Sequence, residues 1–382
     1  MLLEIKKSLL RKETILVILI SFVTMMIMTF RDKGVSFRLL KTSWNKTAEY
    51  SDVPLDLAVS RLNQELNSQT AAEISSDSLH YQELQLLRQM RECAKTYQDQ
   101  EQMLIRFLKQ MNSTKASADT PFEKRDLAKA INYYNHKHEY VLVNKSSLEF
   151  AVLNIADTYY FDLLFILVIC TAFSTLFTVE FETNMYQITF CSQKGKPALF
   201  FQKLSSGLIC IVVFSFIYTA IEYLTVFIKY GISFRIFMAS VQCSDLYLKC
   251  PYQLNFGELF VINVFTRFLT GASIFSLICI ASLLFKKNLT VFLFSLGLSV
   301  ISPLLSILSN QNRNLMLIIK RIGWMHLFVL KDYFTEYDTV NVCGYPVEQV
   351  LLTMLANISL ITAFFIISYG FYTNFLFRKQ VK

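Results

Sequence analysis

Glu222 and Arg267 stand out first, because each interrupts a long and otherwise uncharged apolar run. A charge inside a membrane span is costly and is read as functional by default. Counted from the outer ends of their runs at 1.5 Å per residue, both lie about 9–12 Å deep. Two consecutive antiparallel helices could therefore pair them, and the plainer role of such a pair is to fix those helices to one another. Asp162, at the mouth of an earlier run, reads as a solvated boundary residue. Cys243 and Cys250 flank Ser-Asp-Leu-Tyr-Leu-Lys in a loop, where a disulfide is feasible if that side is oxidising; free thiols are the alternative. Cys170, Cys210 and Cys279 fall inside apolar runs and read as small hydrophobes.

Other reactive patterns are missing. The eight cysteines include no C-x-x-C, and there are only four histidines, so no metal site is expected. Neither G-x-x-x-x-G-K-[ST] nor H-E-x-x-H occurs, and neither does G-x-S-x-G. The chain is expected to be no enzyme and to bind no cofactor of its own. Whatever energy it uses would come from another component.

The elements that hold these residues belong to a membrane. The chain is 53% hydrophobic, with a mean hydropathy of +0.39 and 17% charged residues, against about 25% charged in a soluble domain. Six apolar runs are long enough to span: 14–30, 163–179, 204–228, 260–284, 289–308 and 350–371. Basic residues flank them: Lys6, Lys7, Arg11 and Lys12, then Lys194, Lys196 and Lys203, then Lys286 and Lys287, then Arg378, Lys379 and Lys382. All four clusters fall on one side if there are six spans and both termini are cytoplasmic. The net charge of +8 thus reflects membrane orientation, and no nucleic-acid partner is expected.

The expected fold is all-α, a polytopic membrane protein of six transmembrane helices with a helical extracytoplasmic domain between spans one and two. Residues 1–30 form an interfacial helix and the first span. Residues 31–158 form the outer domain, with 17 basic and 17 acidic residues. Apolar positions at helical spacing, such as Leu84, Leu87 and Met90, predict amphipathic helices over 55–111. A turn is expected at 112–120, a second helical segment over 122–134, and 148–156 leads back to the membrane. Residues 159–382 carry five spans. The stretch 310–348 is too broken by Arg313, Lys320, Arg321 and Lys331 to cross, and reads as a re-entrant or interfacial helix pair on the outer face.

The connection after the second span is the most informative segment. Glu180 closes the span. Phe181, Met185 and Ile188 repeat at i, i+4, i+7, giving a short helix over about 181–192 one apolar face and a polar back. A break follows at 192–197, and Lys203 opens the next span. A short surface helix tied to two spans suits a push from a cytoplasmic partner; an ordinary interfacial helix is the bland alternative.

This segment resembles the signature of type-2 ABC transporter permeases, in which a Glu ends the second span, an amphipathic coupling helix follows, and a Lys starts the third after a Ser/Pro-containing break. Glu180, Glu182, Ser192, Pro197 and Lys203 sit where that pattern places such residues. A weaker likeness extends to Pro251–Leu284 and to Gly344-Tyr345-Pro346. The family's usual Gly after the Glu is absent. The resemblance implies a permease subunit of an ABC exporter in the plasma membrane. Its partners would be a second permease, identical or different, and cytoplasmic ATPase subunits that bind the ATP. Coupling would run through Glu180, Phe181, Glu182, Met185, Ile188 and Lys203. Aromatic-rich spans with few charges suit an amphipathic cargo such as a peptide antibiotic, a bacteriocin or a lipid-like molecule. Other classes are an ABC mechanotransmission subunit acting on outer proteins, typically with four spans, and a membrane receptor or sensor outside the ABC class.

Overall fold

The computed structural model describes residues 12–30, 55–70, 78–116, 120–134, 145–157, 159–183, 195–232, 234–247, 250, 252–285, 287–308, 334–335 and 337–380. They form helices α1 (Lys12–Phe30), α2 (Leu55–Thr70), α3 (Ser78–Ala116), α4 (Pro121–Tyr134), α5 (Lys145–Asp157), α6 (Tyr159–Phe173), α7 (Thr175–Glu182), α8 (Gly195–Tyr230), α9 (Phe256–Phe285), α10 (Asn288–Leu308) and α11 (Gln349–Gln380). Strands β1 (Thr339–Val342) and β2 (Tyr345–Glu348) precede α11.

The chain is mostly helical, and each apolar run of the sequence lies on a helix. Four stretches are long and apolar enough to cross a membrane: Leu148–Glu182, Ala198–Tyr230, Phe256–Phe285 and Gln349–Thr373. Thr14–Ile27 and Asn288–Ser299 are shorter apolar helices. Local chemistry sets several ends. Thr120 and Glu123 exchange hydrogen bonds across the start of α4, and Asn255 and Glu258 do the same for α9, satisfying amides that have no helical partner. Gly231, at φ 71°, ends α8. There the Ile232 amide donates to the Phe227 carbonyl, and the left-handed residue is one that glycine adopts without strain. Ser174 keeps helical angles (φ −54°, ψ −29°), so α6 and α7 run as one rod.

Helix α9 is the centre of the bundle and packs against α6, α7, α8, α10 and α11. Two glycines let α8 come close to it. A Cβ at Gly271 would stand 2.6 Å from Ile211 Cγ2, and one at Gly207 would overlap the Phe275 ring. Phe161, Phe165, Phe173, Phe177, Phe200 and Phe275 build an aromatic core along the bundle. The outward faces of α1, α8 and α11 are apolar and exposed, as at Leu19, Phe216 and Ile366, which is what a helix surrounded by lipid presents.

Helices α2–α5, the outer helices of the sequence expectation, are not a separate globule. Leu62, Leu87, Met90 and Tyr97 share one core with Leu148, Phe227, Ile236 and Phe256 at the ends of the bundle helices. Leu87 and Met90 are buried, as their spacing predicts. Helix α3 reaches Ala116, so the turn expected at 112–120 is shorter than the sequence suggests. Between α8 and α9, 3-10 turns at Phe234–Met238, Val241–Cys243 and Asp245–Tyr247 cover the bundle.

One departure from the all-α expectation is the β1–β2 hairpin, which replaces the end of the predicted outer helix pair; residues 309–333 of that segment lie outside the described residues. Val342 pairs with Tyr345, leaving a two-residue turn in which Cys343 (φ 52°) and Gly344 (φ 86°) both have positive φ. That geometry suits a tight hairpin.

Candidate functional site

Two levels of the bundle hold ion pairs between its helices. The first lies at the end remote from the outer helices. Lys203, 1% exposed, places its ammonium 2.7 Å from Glu180 Oε1, donates to the Leu176 carbonyl at 2.7 Å, and stands 5.0 Å from the centre of the Phe177 ring. A buried ammonium needs such partners, because desolvation without them costs several kcal/mol. Glu182 Oε1 accepts from the backbone amide of Asn288 at 2.8 Å, placing a carboxylate at the positive N-terminal end of α10. Phe181 is half-buried against the aromatic core. The end of α7 is thereby joined to the starts of both α8 and α10.

Of the six residues expected to couple to a partner, the structure brings together Glu180 and Lys203, and sets Phe181 and Glu182 beside them in the last turn of α7. They belong to the span itself and not to a separate surface helix. Met185 and Ile188, with the rest of the 184–194 connection, lie outside the described residues.

The second level joins α6, α8 and α9. Arg267 donates through Nη1 toward Glu222 at 2.7 Å and to Thr219 Oγ1 at 3.1 Å. Its Nε and Nη2 groups both donate to Asp162 Oδ1, at 3.2 and 2.9 Å. All three ionisable side chains are buried, with relative exposures of 6% (Asp162), 0% (Glu222) and 3% (Arg267). Asp162 is therefore not the solvated boundary residue its sequence position suggests: the α6 helix turns it inward onto Arg267, and Phe161 and Leu163 surround it in sequence. The formal charges are two negative and one positive. Nearby, the Tyr218 hydroxyl and Ser21 of α1 are hydrogen-bonded, so four helices meet through polar side chains at about this depth. Along α8, Lys203 and Glu222 stand about 28 Å apart.

Cys243 and Cys250 are separate buried thiols with no disulfide between them. Each takes part in local packing: the Cys250 carbonyl accepts from Gln242 Nε2 at 2.6 Å, and its thiol approaches the Tyr252 carbonyl. Burial pushes the Cys250 thiol up to about 12, which keeps it protonated and unreactive. Cys343 is exposed in the hairpin turn.

A third cluster has no counterpart in the sequence reading. Glu348 of β2 receives the Lys129 ammonium at 2.6 Å and the Tyr133 hydroxyl at 2.6 Å, both from α4. Asp126 accepts from Tyr337 and Thr339 at 3.1 and 2.8 Å, and the Arg125 guanidinium lies 4.7 Å over the Tyr345 ring. On α5, Glu149 accepts from Ser244 Oγ at 3.0 Å and from the Asp245 amide at 2.8 Å. These contacts fasten the outer helices to the loop before α9 and to the hairpin before α11. Burial disfavours the charged Glu348 carboxylate, but the Lys129 and Tyr133 hydrogen bonds outweigh it and hold its pKa below the ordinary value. The Tyr133 phenol rises to about 12 through burial and the adjacent Glu348. No signal in the sequence marks this cluster, since its partners are about 200 residues apart. Among the described residues no group of three or more His, Cys, Asp or Glu could hold a metal ion. No protein-family model matches the chain, and no curated protein matches it either.

Proposed function

We propose that this chain is the membrane-spanning permease subunit of an ATP-driven exporter of the type-2 ABC class, with six spans, both termini cytoplasmic and residues 31–158 outside the cell. A second permease, identical or different, and cytoplasmic ATPase subunits would complete it, and its cargo would be an amphipathic peptide, antibiotic or lipid-like molecule. The observation that supports this reading is the junction at Glu180, Lys203 and Glu182. It binds the ends of three helices directly around the 184–194 connection, so a force applied to that connection enters α7, α8 and α10 together. The Glu and Lys that resemble the family's signature are the ones in contact.

The test is purification of the intact chain from its host membrane in mild detergent, with ATPase activity as the readout. Co-purification of a nucleotide-binding subunit, weakened by K203Q and by E180Q, is the expected result. Loss of all ATPase from preparations tagged at either terminus would refute the proposal and favour a receptor or sensor. The mechanotransmission reading draws on a different observation, the fastening of α4 to the hairpin that leads into α11. It predicts ATP-dependent protection of α4 from proteolysis without cargo movement in reconstituted vesicles.

A further inference from the structure

We propose that the rim formed by α5, the end of α8 and the 3-10 turn Phe234–Met238 is seated in the headgroup and acyl boundary of the bilayer on the side of the outer helices. Phe150, Leu153, Phe234 and Met238 are 58%, 42%, 54% and 77% exposed. They are large apolar side chains on two elements, α5 and the 3-10 turn, that meet the end of α8 at Tyr230 and Phe227. Phe150 stacks on Tyr230 at 6.1 Å with an interplanar angle of 14°, and Phe234 lies 6.1 Å from Phe227, so the rim is a continuous apolar and aromatic surface. Tyr230 also accepts from Asn154 through its hydroxyl at 2.6 Å, an amphipathic placement that suits a membrane interface.

Three arguments choose lipid as the occupant. First, the patch continues the exposed apolar face of α8, which runs through Phe216, Leu224 and Ile228 into Tyr230. Second, length places it there. From Lys203 to Tyr230 the helix rises about 40 Å, so with Lys203 at one boundary Tyr230 falls in the opposite headgroup layer of a membrane about 40–45 Å thick overall. Helix α5 joins α6 above the same boundary and cannot reach the hydrocarbon centre. Third, a patch distributed around the rim of several elements matches a slab of lipid better than a single protein partner. The exposed Arg235, beside Phe234, supplies a cation at phosphate depth. The outer domain is thereby rooted in the membrane surface and not held above it on a stalk. This inference needs only that α6–α9 span the membrane, and is independent of any ATPase partner.

The experiment uses the full chain in phosphatidylcholine nanodiscs, with Trp44 and Trp324 replaced by Phe. M238W and L153W are introduced singly, with K109W on the exposed face of α3 as the aqueous reference. The expected result is blue-shifted emission at 238 and 153 that is quenched by lipids brominated near the top of their acyl chains, with K109W red-shifted and unquenched. Unquenched emission at both positions overturns the proposal: red-shifted, it places the rim in water; blue-shifted, it places it against a second copy of the chain. F234W reads the same surface if either variant fails to assemble.

Discussion

Arg267 donates to two carboxylates from two different helices, so its three ionic positions do not carry equal weight. Asp162 takes two of its hydrogen bonds and Glu222 one ion-pair contact. Removing the guanidinium leaves two buried carboxylates facing each other. Breaking a buried ion pair in this way costs about 3–5 kcal/mol, and R267Q is expected to lose most of the folded protein. D162N and E222Q should each cost less, because the remaining carboxylate still neutralises Arg267. Thermal unfolding of the detergent-solubilised variants checks this order, and an E222Q as unstable as R267Q would contradict it. The sequence alone points to Glu222 and Arg267 as a pair, for which a charge-swapped double variant should recover in part. The structure reverses that expectation: a Glu at 267 would face Asp162, so E222R/R267E is expected to remain defective. That Glu222 and Arg267 share one level was legible from residue counting. The third member was not, because an Asp one turn from a span's end has the same sequence signature whether it faces water or the bundle.

At the scale of elements, close contact between α8 and α9 depends on Gly271 and Gly207, and no periodicity reveals which glycines serve such a crossing. G271V should destabilise the bundle by about 1–3 kcal/mol, the usual penalty for overpacking, and I211A in that background should recover part of it. A G271V variant with wild-type thermal stability would show that the helices can separate without loss. The apolar helices were legible because runs of apolar residues have few alternatives in a bilayer, and four of the six expected spans lie on helices long enough to cross one. The hairpin was not, since only four residues per strand specify it and its turn uses Cys343 beside Gly344. The contact of α4 with that hairpin also carries a pH dependence. Glu348 has a lowered pKa, so its contribution is present above the ordinary value near 4.3 and is lost as pH falls through the lowered one. Tyr133, raised to about 12, contributes fully below its ordinary value near 10 and loses its contribution as pH rises through about 12. Protection of the α4 amides, the measured exchange rate set against the intrinsic rate at each pH, should therefore be greatest from about pH 5 to 10 and fall on both sides. E348Q should accelerate exchange near neutral pH and abolish the acid limb, and an unchanged profile in E348Q would assign it to other groups.

At the scale of the whole molecule, the two ionic levels and the outer helices define a direction across the membrane. The Lys203–Glu180 level lies among the basic clusters, and the Asp162–Arg267–Glu222 level lies beneath the outer helices. Short basic loops remain on the cytoplasmic side, while a long charged segment can be translocated despite its lysines. If that rule sets the orientation, the outer helices and the hairpin share the extracellular face, and the start of α10 faces the cytoplasm. Labelling of intact cells with a membrane-impermeant maleimide tests this. Cys343, already exposed in the hairpin, should react without permeabilisation, as should S113C near the end of α3 in a C343S background. K287C in the same background, at the start of α10, should react only after the membrane is opened. With Cys191 also replaced by Ser, the remaining cysteines, all buried, should stay silent in the folded protein and so leave the assay readable. Equal reaction of K287C and S113C in intact cells would place both ends of α9 on one side. That outcome would exclude α9 as a span despite its 30 residues, and the junction at Lys203 could then no longer face a cytoplasmic partner.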